Sequence, residues 1–558
     1  LTPQAGLEGH SKMKLSLTFI LGITAVSISI AVPSYPVSTG SLITLGSPPR
    51  ESVKLDSGLI SGSTVGDVRV FKGIPFAQPP IGELRWKPPL RVKPWTGIRP
   101  CNDFGPSCPQ PDILRRVYGA KLGKTGEDCL YLNVWTGARG PGEKRPVMVW
   151  LHGGGYTMGS GSTSFYNGEA LARQGAVVVT INYRLGIYGF LAHPWLSKES
   201  VHNSSGNYGL LDQIAALQWV RRNIAAFGGD PGRVTIFGES AGAGSVCLLM
   251  ASPLARELFH RAIAESGSAF GSNRHLREKW YGQEPAEKMG ERAAAQLGAK
   301  SLPDLRSRSS ESLLAISAAG AGTPAAPNTF VFVPIVDGWV VPDDPAVLFE
   351  EGKQAAVPLI VGTNADEGSI FLLESPIKTV EEYRSAARMQ YGQYTDEVLK
   401  LYPAESSGEI RAAMNRNVTD SRFITGARMF AKWQSKVSRS YLYHFTWVGP
   451  GPRAQLGAYH ASEIPHVFGT LSADQVAGQP AEKIPSAAMM GYWVRFAATG
   501  DPNGKGGVHW PAYQPASDQY IEFGTEIGVG SHLHQAGCDL FERVAGERRA
   551  KRRSNSAP

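Results

Sequence analysis

The chain has 558 residues, of which 42% are apolar and 19% charged, with a formal net charge of +8. That is ordinary globular composition and excludes a largely disordered or fibrous protein. Much of the positive excess sits in one terminal run, Arg548-Arg549-Ala550-Lys551-Arg552-Arg553, so the body is close to neutral and makes no case for a nucleic-acid partner.

Residues 1–31 read as an upstream segment followed by a secretory signal peptide. Met13-Lys14 supplies a basic start, Leu15 to Val32 an apolar run, and Ser29-Ile30-Ala31 a small-residue cleavage site. The run is broken by Ser and Thr and barely reaches bilayer length, which favours a leader over a membrane anchor. No other apolar run is long enough to span a bilayer, so the mature protein is expected to be exported, to a secreted or periplasmic location, with no membrane span. Residues 32–545 are read as one catalytic domain, and 546–558 as a basic, disordered tail.

A Ser/Pro-rich spacer reaches about Arg50. Val53 to Val70 then predicts short strands with turns at Asp56-Ser57-Gly58 and Gly66-Asp67. From Pro146 the pattern changes. Val147-Met148-Val149-Trp150-Leu151, Ala176 to Ile181 and Val234-Thr235-Ile236-Phe237 are continuous apolar runs. Helical stretches such as Gly209 to Phe227 separate them. Pro358 to Val361 and Tyr441 to Phe445 are further candidate strands. Buried strands alternating with helices predict an α/β architecture, a mostly parallel central sheet with helices on both faces. The Ala-, Ser- and Pro-rich stretch from about 270 to 355 is expected to form a helical cap.

The decisive motif is Gly238-Glu239-Ser240-Ala241-Gly242. It follows a predicted strand and opens a small-residue helix. A serine exposed on so sharp a turn needs tiny residues two positions before and after it, and both are Gly. This context implies the α/β-hydrolase fold with Ser240 as nucleophile, its helix aiming N–H groups at the reacting centre. His152-Gly153-Gly154-Gly155-Tyr156 also follows a strand, and no Lys-Ser/Thr comes after it, as a phosphate loop would require. Backbone N–H groups of that loop, with the N–H of Ala241, would form an oxyanion hole.

The nucleophile needs a base, and the base an orienting acid, in the chain order Ser, acid, His. The strand ending at Val361 leads into Gly362-Thr363-Asn364-Ala365-Asp366-Glu367-Gly368-Ser369, where composition leaves Asp366 and Glu367 open. Six histidines follow: His444, His460, His466, His509, His532 and His534. His444 alternates within an aromatic strand and reads as core. His532 and His534 have no partner motif. His460 lies in the loop Gly457 to Glu463, with His466 as its competitor.

The chain resembles the type-B carboxylesterases, the family of cholinesterases and several fungal lipases. The resemblance is carried by Phe71-Lys72-Gly73-Ile74-Pro75-Phe76-Ala77, Glu127-Asp128-Cys129-Leu130-Tyr131-Leu132-Asn133-Val134, Asn182-Tyr183-Arg184, Phe227-Gly228-Gly229-Asp230-Pro231 and Gly500-Asp501-Pro502-Asn503. It implies Glu367 as the triad acid, His460 as the base, and Gly154, Gly155 and Ala241 as oxyanion donors. It also implies a disulfide between Cys108 and Cys129 and carries no pairing for Cys101 or Cys538, while Cys247, which follows the elbow helix, reads as a buried free thiol.

No Trp lies between Cys108 and Cys129, where cholinesterases hold a quaternary ammonium, so a choline specialist is not expected. The implied activity is hydrolysis of a small-molecule carboxylic ester through an acyl-enzyme, with no metal and no cofactor. A lipase or amidase on the same machinery is the alternative. A noncatalytic adhesion protein is disfavoured because all three triad residue types are kept. Asn203-Ser204-Ser205 and Asn417-Val418-Thr419 are glycosylation sequons.

Overall fold

In the computed structural model, residues 52–112, 122–271, 273–317 and 329–555 are described. The expected leader therefore lies outside the described residues.

The strands are β1 (Ser52–Leu55), β2 (Gly58–Ser61), β3 (Ser63–Val65), β4 (Val68–Pro75), β5 (Ile98–Pro100), β6 (Tyr131–Thr136) and β7 (Arg145–Leu151). They continue with β8 (Val177–Ile181), β9 (Gly229–Glu239), β10 (Arg261–Glu265), β11 (Leu359–Asn364), β12 (Ser440–Phe445), β13 (Gln519–Phe523) and β14 (Ile527–Ser531). β1, β2 and β5 form a small separate sheet. The others form one large sheet, in the order β14-β13-β12-β11-β10-β9-β7-β8-β6-β4-β3.

Pairings from β8 through β7, β9, β10, β11 and β12 to β13 are parallel, and those at either end are antiparallel. The apolar runs read from the sequence are β7, β8, β9, β11 and β12, while β10 is not among them. Every residue of β8, β11 and β12 is buried, as expected of strands covered on both faces. Helices provide the cover. The helix α1 (Tyr208–Asn223) buries Leu210, Ile214, Leu217 and Val220. The helix α2 (Ala241–Ala251) is buried along its whole length.

Register sets the position of the site. Leu151 at the end of β7 lies opposite Gly238 of β9, and Glu239 lies opposite Glu265 of β10. Glu265 lies opposite Gly362 of β11. The carboxyl ends of four adjacent parallel strands thus come level, and the loops that leave them converge there, where open α/β sheets place their ligands.

Of the stretch 270–355, the helices Ala286–Gln296 and Pro345–Glu350 pack on the core through Met289, Ala293 and Phe349. Two ion pairs tie motif residues into place: the buried Arg184 with Asp212 at 2.7 Å, and the partly buried Arg85 with Glu127 at 2.5 Å. Among the described residues no helix is long and apolar enough to cross a membrane.

The basic terminus departs from expectation. A frayed tail was expected over 546–558, yet the last helix, α3 (Gln535–Asn555), runs through most of it. The guanidinium of Arg549 lies over the ring of Trp433 at 5.6 Å, and that of Arg552 over Trp280 at 3.9 Å, with Asp343 3.4 Å from the latter. Cations that find aromatic faces and a carboxylate stay docked despite their number.

Cys108 and Cys129 form a disulfide, while Cys101, Cys247 and Cys538 are buried thiols. Of the two sequons, Asn203 is exposed. Asn417 is buried and accepts a hydrogen bond from the Tyr391 hydroxyl at 2.6 Å, so it offers no room for a glycan.

The disulfide closes a loop over a separation of 21 residues, for which the loop-entropy model gives about 3 kcal/mol. Replacing both cysteines by Ser should lower stability by about that amount. Peptide mapping without reduction should recover Cys108 linked to Cys129 and the other three as thiols. Recovery of Cys101 or Cys538 in a cross-link would contradict this pairing.

Candidate active site

The expected nucleophile stands where β9 turns into α2. Ser240 has φ 57° and ψ −118°. A non-glycine residue held there stores strain of about 1–3 kcal/mol. Its N–H donates to Glu265 O at 2.8 Å and its carbonyl accepts from Gly244 N at 2.9 Å, which fixes the turn from both sides. The glycines flanking it are required by the carbonyl of Leu151. A Cβ on Gly238 would come within 2.5 Å of that oxygen and 2.7 Å of the Gly242 carbonyl carbon, and a Cβ on Gly242 would overlap the Leu151 oxygen.

Beside this turn runs the loop after β7. Gly154 has φ 102° and Gly155 φ 61°, backbone that L side chains rarely adopt. The Gly154 carbonyl accepts from Thr157 and Met158, folding the loop back on itself. Among the described residues the N–H groups of Gly154 and Gly155 donate to no partner. The N–H of Ala241, in the first turn of α2, has no intrahelical acceptor. All three residues line one cavity with Ser240 and His460. His152 holds the base of the loop. It is fully buried, stacks on Tyr183 at 4.4 Å, and Tyr183 donates its hydroxyl to the His152 carbonyl. Burial pulls its imidazole down to about 4, so it is a neutral strut.

His460 Nδ1 donates to Glu367 Oε2 at 2.6 Å, and the other oxygen of Glu367 accepts from Asn364 N at 2.8 Å. Both side chains are buried. Asp366, the alternative acid, faces elsewhere: its oxygens accept from Asn415 Nδ2 and Ala458 N. His466 lies in the cavity wall against Phe445 and Trp447, and among the described residues no carboxylate contacts its ring. His444 is buried in β12, as expected of a core residue. His534, given no partner by the sequence, is hydrogen-bonded to Asp420 at 2.6 Å.

One residue escaped the sequence reading. Glu239 is buried directly before the serine, and its Oε1 lies 3.0 Å from His460 Nε2. The contact is an ionic approach and not an aligned hydrogen bond, since among the described residues Oε1 has no hydrogen-bond partner. The imidazole is thus gripped between two carboxylates, and Nε2 faces Glu239 rather than a hydrogen bond from Ser240. Burial opposes a charge on the ring. Glu239 and Glu367 together outweigh it, so His460 titrates above the ordinary imidazole range. Burial also raises the Glu239 carboxyl, with His460 acting against it. A signal was present: the residue before an elbow serine ends a buried strand, where an acid needs a partner.

The cavity holds about 1390 Å³, larger than the ~300–1,000 Å³ usual for small-molecule sites. Phe371 and Phe423 flank His460, with ring centroids 5.0 and 4.8 Å from its own. Of the stretch 270–355, only Val333 lines the cavity among the described residues. The rest of the mouth comes from segments 370–376, 422–423 and 447–475. No group of three or more His, Cys, Asp or Glu side chains among the described residues could hold a metal ion.

The Carboxylesterase family model matches residues 49–541. The chain belongs to that family. Its curated relatives agree. It is 38% identical over 532 residues to the fumonisin B1 esterase of Sphingopyxis macrogoltabida, which covers 93% of this chain and 92% of the relative. It is 36% identical over 497 residues to the para-nitrobenzyl esterase of Bacillus subtilis (strain 168), covering 86% of this chain and 96% of the relative. A solved PNB esterase structure superposes with a TM-score of 0.75 at 34% identity, over 88% of this chain and 99% of that one. This carboxylesterase therefore has the α/β-hydrolase fold that its elbow motif implied.

The two-carboxylate grip predicts a pH effect. A negative charge beside the ring favours imidazolium, so removing one lowers the pKa of His460 and extends the neutral base to lower pH. Glu239→Gln should therefore move the acidic limb of kcat/KM on a short-chain ester toward lower pH. A limb that stays in place or moves toward higher pH contradicts the pairing.

Proposed function

We propose that this carboxylesterase cleaves small-molecule carboxylic esters through an acyl-enzyme on Ser240, with His460 as base and Glu367 as its orienting acid. The observation that carries the reading is the buried His460–Glu367 hydrogen bond in the wall of the cavity that Ser240 enters from a strained turn.

The imidazole turns its Nε2 from Glu239 toward Ser240 and takes the hydroxyl proton as Oγ bonds to the ester carbonyl carbon. Glu367 holds the tautomer with the proton on Nδ1 and stabilises the imidazolium. The N–H groups of Gly154, Gly155 and Ala241 receive the developing oxyanion, one such donor being worth ~3 kcal/mol of barrier. The carbon–oxygen bond to the alcohol breaks, and His460 returns the proton to the leaving oxygen. Water then attacks the acyl-serine, again giving its proton to His460, and releases the acid. The chemistry of each step lies in these side chains and backbone groups.

The relatives' names, fumonisin B1 esterase and para-nitrobenzyl esterase, support ester substrates larger than acetate, and the size of the cavity accommodates them. The leader-like segment from Met13 to Ala31 supports an exported enzyme, and the Cys108–Cys129 disulfide fits an oxidising compartment.

Ser240→Ala should lose at least ~10⁴-fold in kcat/KM on p-nitrophenyl acetate while keeping the circular dichroism of the parent. An organophosphonate should label one serine per chain, and peptide mass mapping should place it on Ser240. Labelling elsewhere, or a Ser240→Ala variant that keeps its activity, refutes the assignment.

A further inference from the structure

The helix of residues 410–434 is continuous but not regular. Thr419–Ile424 in its middle form a π-turn, with α-helix on either side. Such turns are rare and frequently serve a functional site. What this one does follows from phase. Along an α-helix, a side chain four residues on overshoots a full turn by about 40°. In the wider π-turn the same step falls short of one. Asn415, Thr419 and Phe423 are spaced by four, the first step in α-helix and the second in the π-turn. Overshoot and shortfall offset each other, so the three share a face. That face carries the base. Asn415 donates to Asp366 at 2.8 Å, the Thr419 hydroxyl accepts from Gly368 N at 3.2 Å, and the Phe423 ring lies 4.8 Å from that of His460. Phe371 lies 5.0 Å from His460 and stacks on Phe423. The loop that holds Glu367 and the imidazole it orients are thus both seated on one helix.

The π-turn is fixed by its second residue. Asp420 is buried and accepts from His534 Nδ1 at 2.6 Å and from the Tyr402 hydroxyl at 2.7 Å. Two local rules give way to allow this contact. His534 has φ 46°, which non-glycine residues rarely adopt. A Cβ on Gly537 would overlap both the Tyr402 hydroxyl and the Asp420 carboxylate. The hydrogen bond to Asp420 lifts the His534 imidazole above its ordinary range, against burial and Arg428, so charge reinforces the bond. Strain, close approach and a π-turn that meet at one carboxylate point to a functional constraint.

We propose that Asp420, anchored by His534 and Tyr402, is a positioning residue for the catalytic base: it holds the π-turn that keeps Phe423 on the His460 ring. The proposal rests on the reading of His460 as base. Phe423 and Phe371 limit where the imidazole can go as Nε2 leaves Glu239 for Ser240. A catalytic group displaced by about 1 Å can lose on the order of 10²-fold in rate. Phe423 lines the cavity, whereas Asp420, Tyr402 and His534 do not, so their effect reaches the base through the helix.

The test uses the whole enzyme on p-nitrophenyl acetate, with active sites counted by organophosphonate titration so that kcat refers to competent chains. His534→Leu removes the donor and keeps bulk, whereas His534→Asn keeps an N–H at the place of Nδ1. His534→Leu should lower kcat about tenfold with KM within about threefold of the parent, the mark of a defect in the chemical step. His534→Asn should recover most of that loss. Because the effect passes through Phe423, adding His534→Leu to Phe423→Leu should cost little beyond Phe423→Leu alone. If His534→Leu does not fold, Tyr402→Phe, which removes one hydroxyl, takes its place in the cycle and is read the same way. A lower melting temperature with the parent's kcat per site, an Asn variant as impaired as the Leu variant, or losses that multiply in the double variant overturns the positioning role. A His460→Ala variant that keeps its turnover would instead overturn the reading of the base itself.

Discussion

The carbonyl oxygen of Leu151 is the fixed point around which the site is built. It closes the end of β7 against β9, and it leaves no space for a Cβ at either residue 238 or residue 242. Because both are Gly, the chain can reverse between them in the space of one residue, and Ser240 takes a positive φ that the surrounding hydrogen bonds hold in place. The strain is spent on exposure: the serine side chain is lifted above the strand ends, while the backbone on both sides remains bonded. The same closeness brings the Gly153–Gly155 loop beside the first turn of α2, where unsatisfied N–H groups from two elements meet in one cavity. Parallel register does the rest, since β7, β9, β10 and β11 end level and deliver their loops to the same place.

A second constraint is electrostatic. Glu239, Glu367 and Glu463 are buried beside His460, and Glu265 is buried near Glu239 and Glu463. Burial raises the carboxyls of Glu239, Glu265 and Glu463 above their usual range, and mutual repulsion adds to it. Three of the four are restrained by hydrogen bonds. Glu265 accepts from the indole N–H of Trp493 at 2.8 Å, Glu463 from Asn364 Nδ2 at 2.5 Å, and Glu367 from Asn364 N and His460. A ring placed among carboxylates that cannot all ionise together titrates with them as a unit. That coupling, and not the imidazole alone, carries the titration of His460 above the ordinary imidazole range.

Much of this was legible in the sequence because it depends on local rules. The apolar runs became the central strands, since a strand covered on both faces has no polar side to show. The glycine pair around Ser240 and the glycines after His152 are backbone requirements and are visible as composition. The choice of Glu367 over Asp366 was not local. It depends on Asn415 and the Ala458 N–H occupying Asp366 from other elements, while Glu367, which the family resemblance implied, is the one hydrogen-bonded to His460. Glu239 was in plain view inside the motif, but its importance comes from a contact to a residue more than 200 positions later. The terminal helix was misread for the same reason: its arginines look solvated until Trp280, Trp433 and Asp343 are brought to them. The strands β6, β13 and β14 pair at the antiparallel flanks of the sheet and show weaker apolar runs, and the central β10 is short and ends in Arg261 and Glu265, so all four are unassigned from sequence.

The central claim is that Ser240 and His460 act as one unit, and non-additivity measures that directly. The single variants Ser240→Ala and His460→Ala and the double variant should be assayed side by side for kcat on p-nitrophenyl acetate. If proton transfer from Ser240 to His460 is one event, the double variant loses little more than either single variant, each by ~10⁴-fold or more. A double variant whose loss is the product of the two single losses would contradict the account, because the two residues would then be acting independently.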